Sequence, residues 1–246
     1  MKNTTKTIIL FAVVLLVGIL FLAKFATPAL LKTYVEMGMG GPTAYKQPVF
    51  SVVASEEIID FPVDQAYIQE LLPYKYPDME VLLPKKFSVT KHTKTKYYYK
   101  RRAIKDRNAA IYLLCKNPDF FVGLFPQVKK IGIDNNGEFI SKVLNAKTQD
   151  INAIQDAFFS IMKSIFTPDM GNQENLKIIK FILGDKKGFV TYNLTPEANY
   201  FDCNFTDKDG YYLKIYIKDK PASLDLSKIL AIISTAKSKA NSLDFE

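Results

Sequence analysis

The stretch that decides the fold is LKIIKFILGDKKGFVTYNLTPEANYFDCNFTDKDGYYLKIYIK, residues 176–218. Two apolar runs, Leu176 to Leu183 and Phe189 to Leu194, flank the turn sequence GDKKG. Two further runs, Tyr200 to Thr206 and Tyr211 to Lys218, flank DKDG. Short glycine-containing turns between alternating apolar runs are typical of β-hairpins. The stretch therefore predicts a four-stranded antiparallel meander, whose last strand alternates in the manner of a sheet with one solvent-exposed face.

Two amphipathic helices are predicted on either side of this meander. The segment from Asp150 to Phe166 carries apolar residues at helical spacing. A closing helix with Ser223 as its N-cap is predicted by the spacing of Leu226, Ile229, Leu230 and Ile233. An apolar helix stripe needs a sheet to cover. The predicted fold class is therefore α+β, with an antiparallel sheet packed by an amphipathic helix and a C-terminal helix.

The segment before these elements predicts shorter structures. Residue types and spacing predict a strand over Val49 to Val53, a helix over Gln65 to Leu72 capped by Asp64, strands over Ala109 to Cys115 and Phe120 to Phe125, and a tight turn at Asp134-Asn135-Asn136-Gly137.

Between Leu83 and Thr235 the chain resembles the PsbP-like fold. An extended segment, Leu83-Pro84-Lys85-Lys86-Phe87-Ser88-Val89, is followed by strands, a long amphipathic helix, the meander and a closing helix. The resemblance implies an α+β sandwich, often located outside the cytoplasm or in a lumen, that serves as an assembly or accessory factor for a larger complex. It carries over no functional residue.

The amino-terminal segment is strongly apolar. Ile8 to Ala23 has no charge, and the apolar character continues past Lys24 to Leu31. A helix rising about 1.5 Å per residue would cross a hydrocarbon core of roughly 30 Å over this length. The sequence therefore predicts a transmembrane anchor over residues 8–31, after a cytoplasmic tail of residues 1–7. A Gly/Pro linker over residues 32–48 would then lead to one extracytoplasmic domain, residues 49–246.

A cleaved signal peptide is the alternative interpretation of this segment. Lys2 and Lys6 form a charged start, and Thr27-Pro28-Ala29 is an acceptable small-residue cleavage site. Both interpretations place the domain outside the cytoplasm, either periplasmic or extracellular. If the segment is a transmembrane anchor, the protein is a single-pass membrane protein with its amino terminus in the cytoplasm. Its N-terminal helix then binds it to the membrane.

Positive charge is concentrated in one segment. Lys85 to Arg107 contains ten basic residues, including all three arginines, and one acid, so it carries +9 while the whole chain carries +8. The preceding segment, Glu36 to Glu80, has eight acids and two lysines and carries −6. Clustered charge of one sign indicates a surface that meets an oppositely charged partner. The two segments could also neutralise each other within the fold.

The basic segment supplies the predicted binding site for an anionic partner. Its candidate residues are Lys94, Lys96, Tyr97, Tyr99, Lys100, Arg101, Arg102 and Arg107. A protein, a lipid headgroup or an envelope polymer would suit such a basic and aromatic surface. An extracytoplasmic domain makes nucleic acid the least favoured ligand. The alternative is a solvated strand face that contributes only solubility.

Residues for catalysis are few. His92 is the only histidine and has no acid nearby in sequence to orient it, and two distant cysteines make a poor zinc site. We therefore expect a binding or assembly module with no catalytic residues, no cofactor and no metal. The alternative is an envelope hydrolase whose carboxylates converge in the fold. Candidates for that role are Asp60, Asp64, Glu70, Asp202 and Asp207.

The two cysteines, Cys115 and Cys203, lie on the apolar side of predicted strands. In an oxidising compartment they could form a disulfide, which would stabilise the fold by roughly 4 kcal/mol through the long loop that it closes. Two separate buried thiols fit the same pattern.

Overall fold

The computed structural model describes residues 27–33, 35, 52–60, 62–75, 78–87, 89–94, 99–103, 109–168, 170 and 175–239. For residues 89–94 and 99–103 the description is of the backbone. The chain forms two compact units. Unit 1 comprises Met1–Ser51 and Ala146–Ile165, and unit 2 comprises Val52–Asn145 and Phe166–Glu246.

The described residues contain eleven strands and six α-helices. The strands are β1 (Ala54–Ile59), β2 (Leu72–Lys75), β3 (Met79–Leu83), β4 (Val89–Lys94), β5 (Tyr99–Ala103), β6 (Ala110–Lys116), β7 (Lys177–Leu183), β8 (Lys186–Leu194), β9 (Asn199–Thr206), β10 (Tyr212–Asp219) and β11 (Lys237–Ser238). The helices are α1 (residues 27–33), α2 (Gln65–Glu70), α3 (Phe120–Leu124), α4 (Asn136–Leu144), α5 (Ile154–Phe166) and α6 (Leu226–Thr235).

Unit 2 is built on an eight-stranded sheet in the order β1-β7-β8-β9-β10-β6-β5-β4. The predicted meander is present as β7 to β10, with each strand antiparallel to the next. Strand β6 extends it on one side and β1 on the other. A second sheet has the order β11-β3-β2.

One face of the large sheet forms the main hydrophobic core. Leu213, Ile215 and Ile217 of β10 are fully buried, and so are Phe201 and Phe205 of β9. Helix α6 and the β2–β3 strands contribute the other side of this cluster. Fully burying one such side chain stabilises the fold by about 1.5–3 kcal/mol relative to its exposure. The alternation along β9 and β10 therefore fixes which face points inward.

The opposite face was expected to be exposed to solvent, and this expectation is wrong at one end of the sheet. Tyr212 of β10 is only 2% exposed. Its ring lies 4.8 Å from Phe121, which stacks on Phe139 of α4 at 4.7 Å between centroids, and Phe166 also packs here. The aromatic residues that cover Tyr212 are distant in sequence, so the strand pattern alone could not show them.

The predicted fold class requires two corrections. Strand β1 runs parallel to β7, so the sheet is mixed and not purely antiparallel. In the part of the chain that the structure describes, no helix is long and apolar enough to cross a membrane. Helix α1 covers only the end of the predicted anchor, and residues 8–26 lie outside the described residues.

Three local predictions are also wrong. Phe120 to Phe125 forms helix α3 and a following loop, not a strand. The sequence Asp134 to Gly137 begins helix α4: Asn135 Oδ1 accepts the Glu138 amide at 2.9 Å, and Glu138 Oε2 accepts the Asp134 amide at 2.7 Å. This pair of bonds is a capping arrangement. The N-cap of α6 is Asp225, which accepts the Lys228 amide, and not Ser223.

Two capping and turn predictions are confirmed. Asp64 caps α2 by accepting the Tyr67 amide at 2.9 Å. Asp207 holds the β9–β10 turn, because its Oδ1 accepts the amides of Asp209 and Tyr211 at 3.1 and 3.0 Å. Aspartate commonly stabilises turns by bonding to backbone amides a few residues ahead.

Unit 1 has a small apolar cluster of its own. Val35, Ile151 and Ala157 are buried together, with Leu31 and Ile161 packed against them. At the start of α5, Asp156 Oδ2 accepts the amides of Asn152 and Ala153, each at 3.0 Å. The predicted helix over Asp150 to Phe166 is thus present from Ile154.

A close approach of strands in the meander requires a glycine. Gly188 of β8 pairs with Phe205 of β9. A Cβ atom at this position would lie 2.3 Å from the Asn204 carbonyl oxygen and 2.4 Å from the Phe205 Cβ. Both are fixed parts of the neighbouring strand, so any side chain would push β8 and β9 apart.

We expect Gly188→Ala to lower the free energy of unfolding by about 1–3 kcal/mol, which is typical of overpacking. Gly123→Ala is the matched control, since its Cβ would have nothing within 4 Å and alanine favours the helix in which it lies. Urea unfolding of both variants measures the difference. Equal stability of the two variants would show that β8 and β9 are not this close.

Candidate functional site

The basic segment forms the last two strands of the large sheet. Strands β4 and β5 pair antiparallel, with Lys94 opposite Tyr99, Thr93 opposite Lys100 and His92 opposite Arg101. Strand β5 pairs in turn with β6. We refer to Val89–Lys94 and Tyr99–Ala103 as the basic hairpin. It continues a sheet whose next strands belong to the buried core.

The structure brings most of the predicted site residues into this hairpin. Five of the eight lie on its strands: Lys94, Tyr99, Lys100, Arg101 and Arg102. Lys96, Tyr97 and Arg107 lie outside the described residues. The pairing therefore collects residues that are up to eight positions apart in sequence onto two neighbouring strands.

A row of aromatic residues adjoins the hairpin on the same sheet. The register places Lys100 opposite Tyr112, and Tyr112 opposite Tyr216. The rings of Tyr112 and Tyr216 meet edge to face, 5.2 Å between centroids. In a neighbouring row Lys218 pairs with Tyr200, and its Nζ lies 5.6 Å from the Tyr200 ring centroid. Sequence reasoning missed these neighbours, because only the register of β5, β6 and β10 joins them to the basic segment.

The acidic segment was expected to be able to neutralise the basic segment. Its described acids have other positions. Glu57 pairs with Lys180 at 2.7 Å, and Glu80 lies 3.7 Å from Lys239. Glu56 and Glu57 lie on β1, at the edge of the sheet opposite to the hairpin. Glu57 and Glu80 are therefore placed beside lysines that lie outside the basic hairpin, and Glu56 lies at the opposite edge of the sheet.

A buried polar network lies on strands β9 and β10 of the sheet. Asp202 of β9 is fully buried, and the Lys214 ammonium is 3.0 Å from each of its carboxylate oxygens. Asn204 donates its side-chain amide to Asp202 at 2.8 Å and accepts the Tyr212 hydroxyl at 2.7 Å. Lys214 also donates to the Phe166 carbonyl oxygen at 2.7 Å. The network ties β9, β10 and Phe166 together.

Burial dominates the electrostatics of this network. It raises the pKa of Asp202 above its ordinary value, and the Lys214 charge opposes that shift. Burial, together with the Asp202 charge, raises the pKa of Tyr212 well above its usual range. A buried carboxylate with a cation and an amide donor already bound is a structural ion pair. It offers no open position to a substrate.

The carboxylates proposed for a hydrolase have separate structural roles. Asp64 caps α2, Asp207 holds a turn and accepts the Ser238 hydroxyl at 2.5 Å, and Asp202 pairs with Lys214. Asp60 follows β1 with a φ of 46°. Among the described residues there is also no group of three or more histidine, cysteine or acidic side chains that could hold a metal ion. Asp64 and Glu70 both lie near Tyr67, whose pKa is raised by burial and by the charges of nearby acids that include these two. Asp64 is nevertheless engaged in its cap.

Unit 1 contains a serine and a lysine one helical turn apart. Burial and the nearby Lys147 lower the pKa of Lys163 to about 8, which is a suitable value for a base. However, its Nζ donates to the Ala146 carbonyl oxygen at 2.8 Å, and Ser160 is only 1% exposed. A serine nucleophile must be within reach of both its base and a substrate carbonyl. The buried position of Ser160 does not meet that requirement.

The two cysteines are free thiols in the structure, both buried in the main core. Cys203 lies on β9 and Cys115 on β6, with β10 between them. Two strand spacings amount to about 10 Å, whereas disulfide-bonded residues have Cα atoms within about 7 Å. Burial raises the pKa of Cys115 to about 12. The structure therefore favours the interpretation of two separate thiols.

Comparison of the sequence with known protein families and with characterised proteins finds no match. Function must therefore be argued from the residues themselves.

We expect Lys214→Met to destabilise the protein by about 3–5 kcal/mol at neutral pH, since it leaves a buried carboxylate without its cation. Because burial already raises the native pKa of Asp202, the native state holds this proton more tightly than the unfolded chain does. The loss should therefore shrink as the pH falls and Asp202 becomes protonated.

Lys218→Met is the matched control on the same strand. It removes only a half-exposed cation beside Tyr200, which is worth about 0.5–1 kcal/mol. Urea unfolding at neutral and mildly acidic pH compares the two variants. A Lys214→Met defect of the same size at both pH values would contradict the ion-pair role.

Proposed function

We propose that the protein is a binding or assembly module whose basic hairpin binds an anionic partner. The observation that carries the proposal is the position of the basic segment: it forms the two outermost strands at one end of the large sheet. An edge strand can be approached by another molecule without disrupting the core. Five of the predicted site residues lie on these two strands.

The distribution of acids supports this proposal. Among the described acids of the preceding segment, Glu57 and Glu80 lie beside Lys180 and Lys239, and Asp64 caps a helix. Several charges of one sign on a surface attract an oppositely charged partner over about 10 Å at ordinary salt concentrations. Tyr112, which is partly exposed, adds flat apolar area with a polar edge beside the hairpin, which suits a binding surface.

The partner class follows from this chemistry. An acidic protein surface, an anionic lipid headgroup and an acidic envelope polymer each present carboxylates, phosphates or sulfates to lysine and arginine side chains. The role of an accessory factor for a larger complex agrees with the PsbP-like resemblance of the sequence. A location outside the cytoplasm stays a prediction, and nucleic acid is the least favoured ligand under it.

The hydrolase alternative has weaker support. Three of its five candidate carboxylates are engaged in a cap, a turn and a central ion pair. A hydrolytic site needs an acid and a base positioned around one bound substrate. The engagement of Asp64, Asp202 and Asp207 in the fold removes most of the candidates for these roles.

We expect neutralisation of the hairpin in Lys100→Gln/Arg101→Gln/Arg102→Gln to weaken binding of the full-length chain to heparin, used here as a sulfated polyanion probe. Each charge near an anionic surface contributes about 1 kcal/mol, so three correspond to about a hundredfold loss of affinity. Retention on immobilised heparin and titration at several salt concentrations measure the loss. The difference between variant and wild type should diminish at high salt.

Lys129→Gln/Lys130→Gln/Lys208→Gln is the matched control, because it removes the same charge from three exposed lysines that lie off the hairpin. The proposal requires the hairpin variant to lose much more affinity than this control. Equal losses would mean that only net charge matters, and the hairpin would then not be a binding site.

A further inference from the structure

The two edges of the large sheet carry opposite charge. Strand β1 exposes Glu56 and Glu57, and Asp60 follows it directly. At the other edge the basic hairpin contains Lys91, Lys94, Lys100, Arg101 and Arg102. Seven strand spacings of about 4.8 Å separate β1 from β4, which is about 34 Å along the sheet. Among the described residues, β1 is not paired with β4 of its own molecule.

Each edge strand has one neighbour among the described residues. Within the described residues, β1 pairs only with β7 and β4 pairs only with β5. Edge strands present a row of amide and carbonyl groups to which another strand can be added. Ile59 near the end of β1 is 63% exposed, so this edge also offers an apolar contact.

We infer that the anionic partner of the basic hairpin is the acidic β1 edge of a second copy of this chain. This inference rests on the proposed function, since it uses the same hairpin and specifies what it binds. Pairing β1 of one copy with β4 of the next continues the eight-stranded sheet into a second molecule. The contact places Glu56 and Glu57 against the lysines and arginines of the hairpin.

Charge decides which edges pair. Two β1 edges would bring glutamates together, and two β4 edges would bring lysines and arginines together, so both like pairings are repulsive. The unlike pairing is attractive. It joins two different surfaces and is therefore head-to-tail, which produces a ring if the rotation closes and an open chain if it does not.

The Glu57 ion pair leaves this edge available. Glu57 and Lys180 are both more than 40% exposed while they interact. Exposed pairs of this kind contribute about 0–1 kcal/mol, so Glu57 can reorient toward a hairpin at little cost. Glu56 and Asp60 are also exposed and lie within the same short segment.

A charge exchange between the two edges tests the inference. One variant, Glu56→Lys/Glu57→Lys, makes both edges basic, and the other, Lys100→Glu/Arg101→Glu/Arg102→Glu, makes both edges acidic. Sedimentation velocity of the full-length chain at low salt should show concentration-dependent association of wild type. Each variant alone should associate at least about tenfold more weakly. An equimolar mixture of the two should recover association, since each hairpin then meets an edge of opposite charge.

Three outcomes would overturn the inference. Wild type could sediment as a monomer at every concentration, either variant alone could associate as strongly as wild type, or the mixture could fail to recover association. If the apolar amino-terminal run drove association, each variant would associate as strongly as wild type, because that run is unchanged in both variants.

Heparin binding separates this result from the proposed function. The Glu56→Lys/Glu57→Lys variant keeps its hairpin and should bind heparin at least as tightly as wild type. If wild type binds heparin through its hairpin but does not self-associate, the hairpin binds anions but its partner is not a second copy. If neutralising the hairpin leaves heparin binding unchanged relative to the control, the proposed function itself is wrong.

Discussion

The backbone ladder of a single eight-stranded sheet is the constraint on which the rest of unit 2 depends. Four consecutive strands, β7 to β10, place alternate residues on a mainly apolar face, and helix α6 and the second sheet cover that face. The ladder also determines the close contact of Gly188 with β9 and the position of the Asp202–Lys214 pair. Because pairing order sets the edges, it also separates the acidic strand from the basic hairpin.

The two kinds of charge in this molecule have different consequences. Asp202 and Lys214 are buried at the centre, where desolvation is costly and a precise hydrogen-bonded geometry is required. The basic hairpin lies at an edge, where charges contribute little to folding and can act over longer distances. The central pair therefore holds β9 and β10 together, whereas the edge charges are the ones that we propose bind a partner.

Much of the meander could be predicted from sequence, since alternation and glycine turns are local signals. The Asp207 turn and the Asp64 cap follow from the same short-range chemistry. The parallel pairing of β1 with β7 could not be predicted, because it joins segments more than 120 positions apart. Helix α4 was missed although Phe139, Ile140, Val143 and Leu144 have helical spacing, since Asn136-Gly137 was interpreted as a tight turn.

The candidate site, too, could be predicted only in part: its residues follow from local sequence, whereas their neighbours depend on long-range strand pairing. The basic residues were identified from composition, but their relation to Tyr112 and to the acidic edge depends on strand order. That order also argues against the intramolecular neutralisation that the alternating charge blocks suggested. The anionic partner that we propose would therefore come from outside the molecule, and a second copy is the partner that we infer.

Hydrogen–deuterium exchange at low and high protein concentration is the most direct test of this account. At high concentration we expect slower amide exchange in residues 54–59 and in residues 89–94, where unpaired edge groups gain partners, and no change in the central strands β8 to β10. Unchanged exchange at both edges, or protection spread evenly over the sheet, would contradict it.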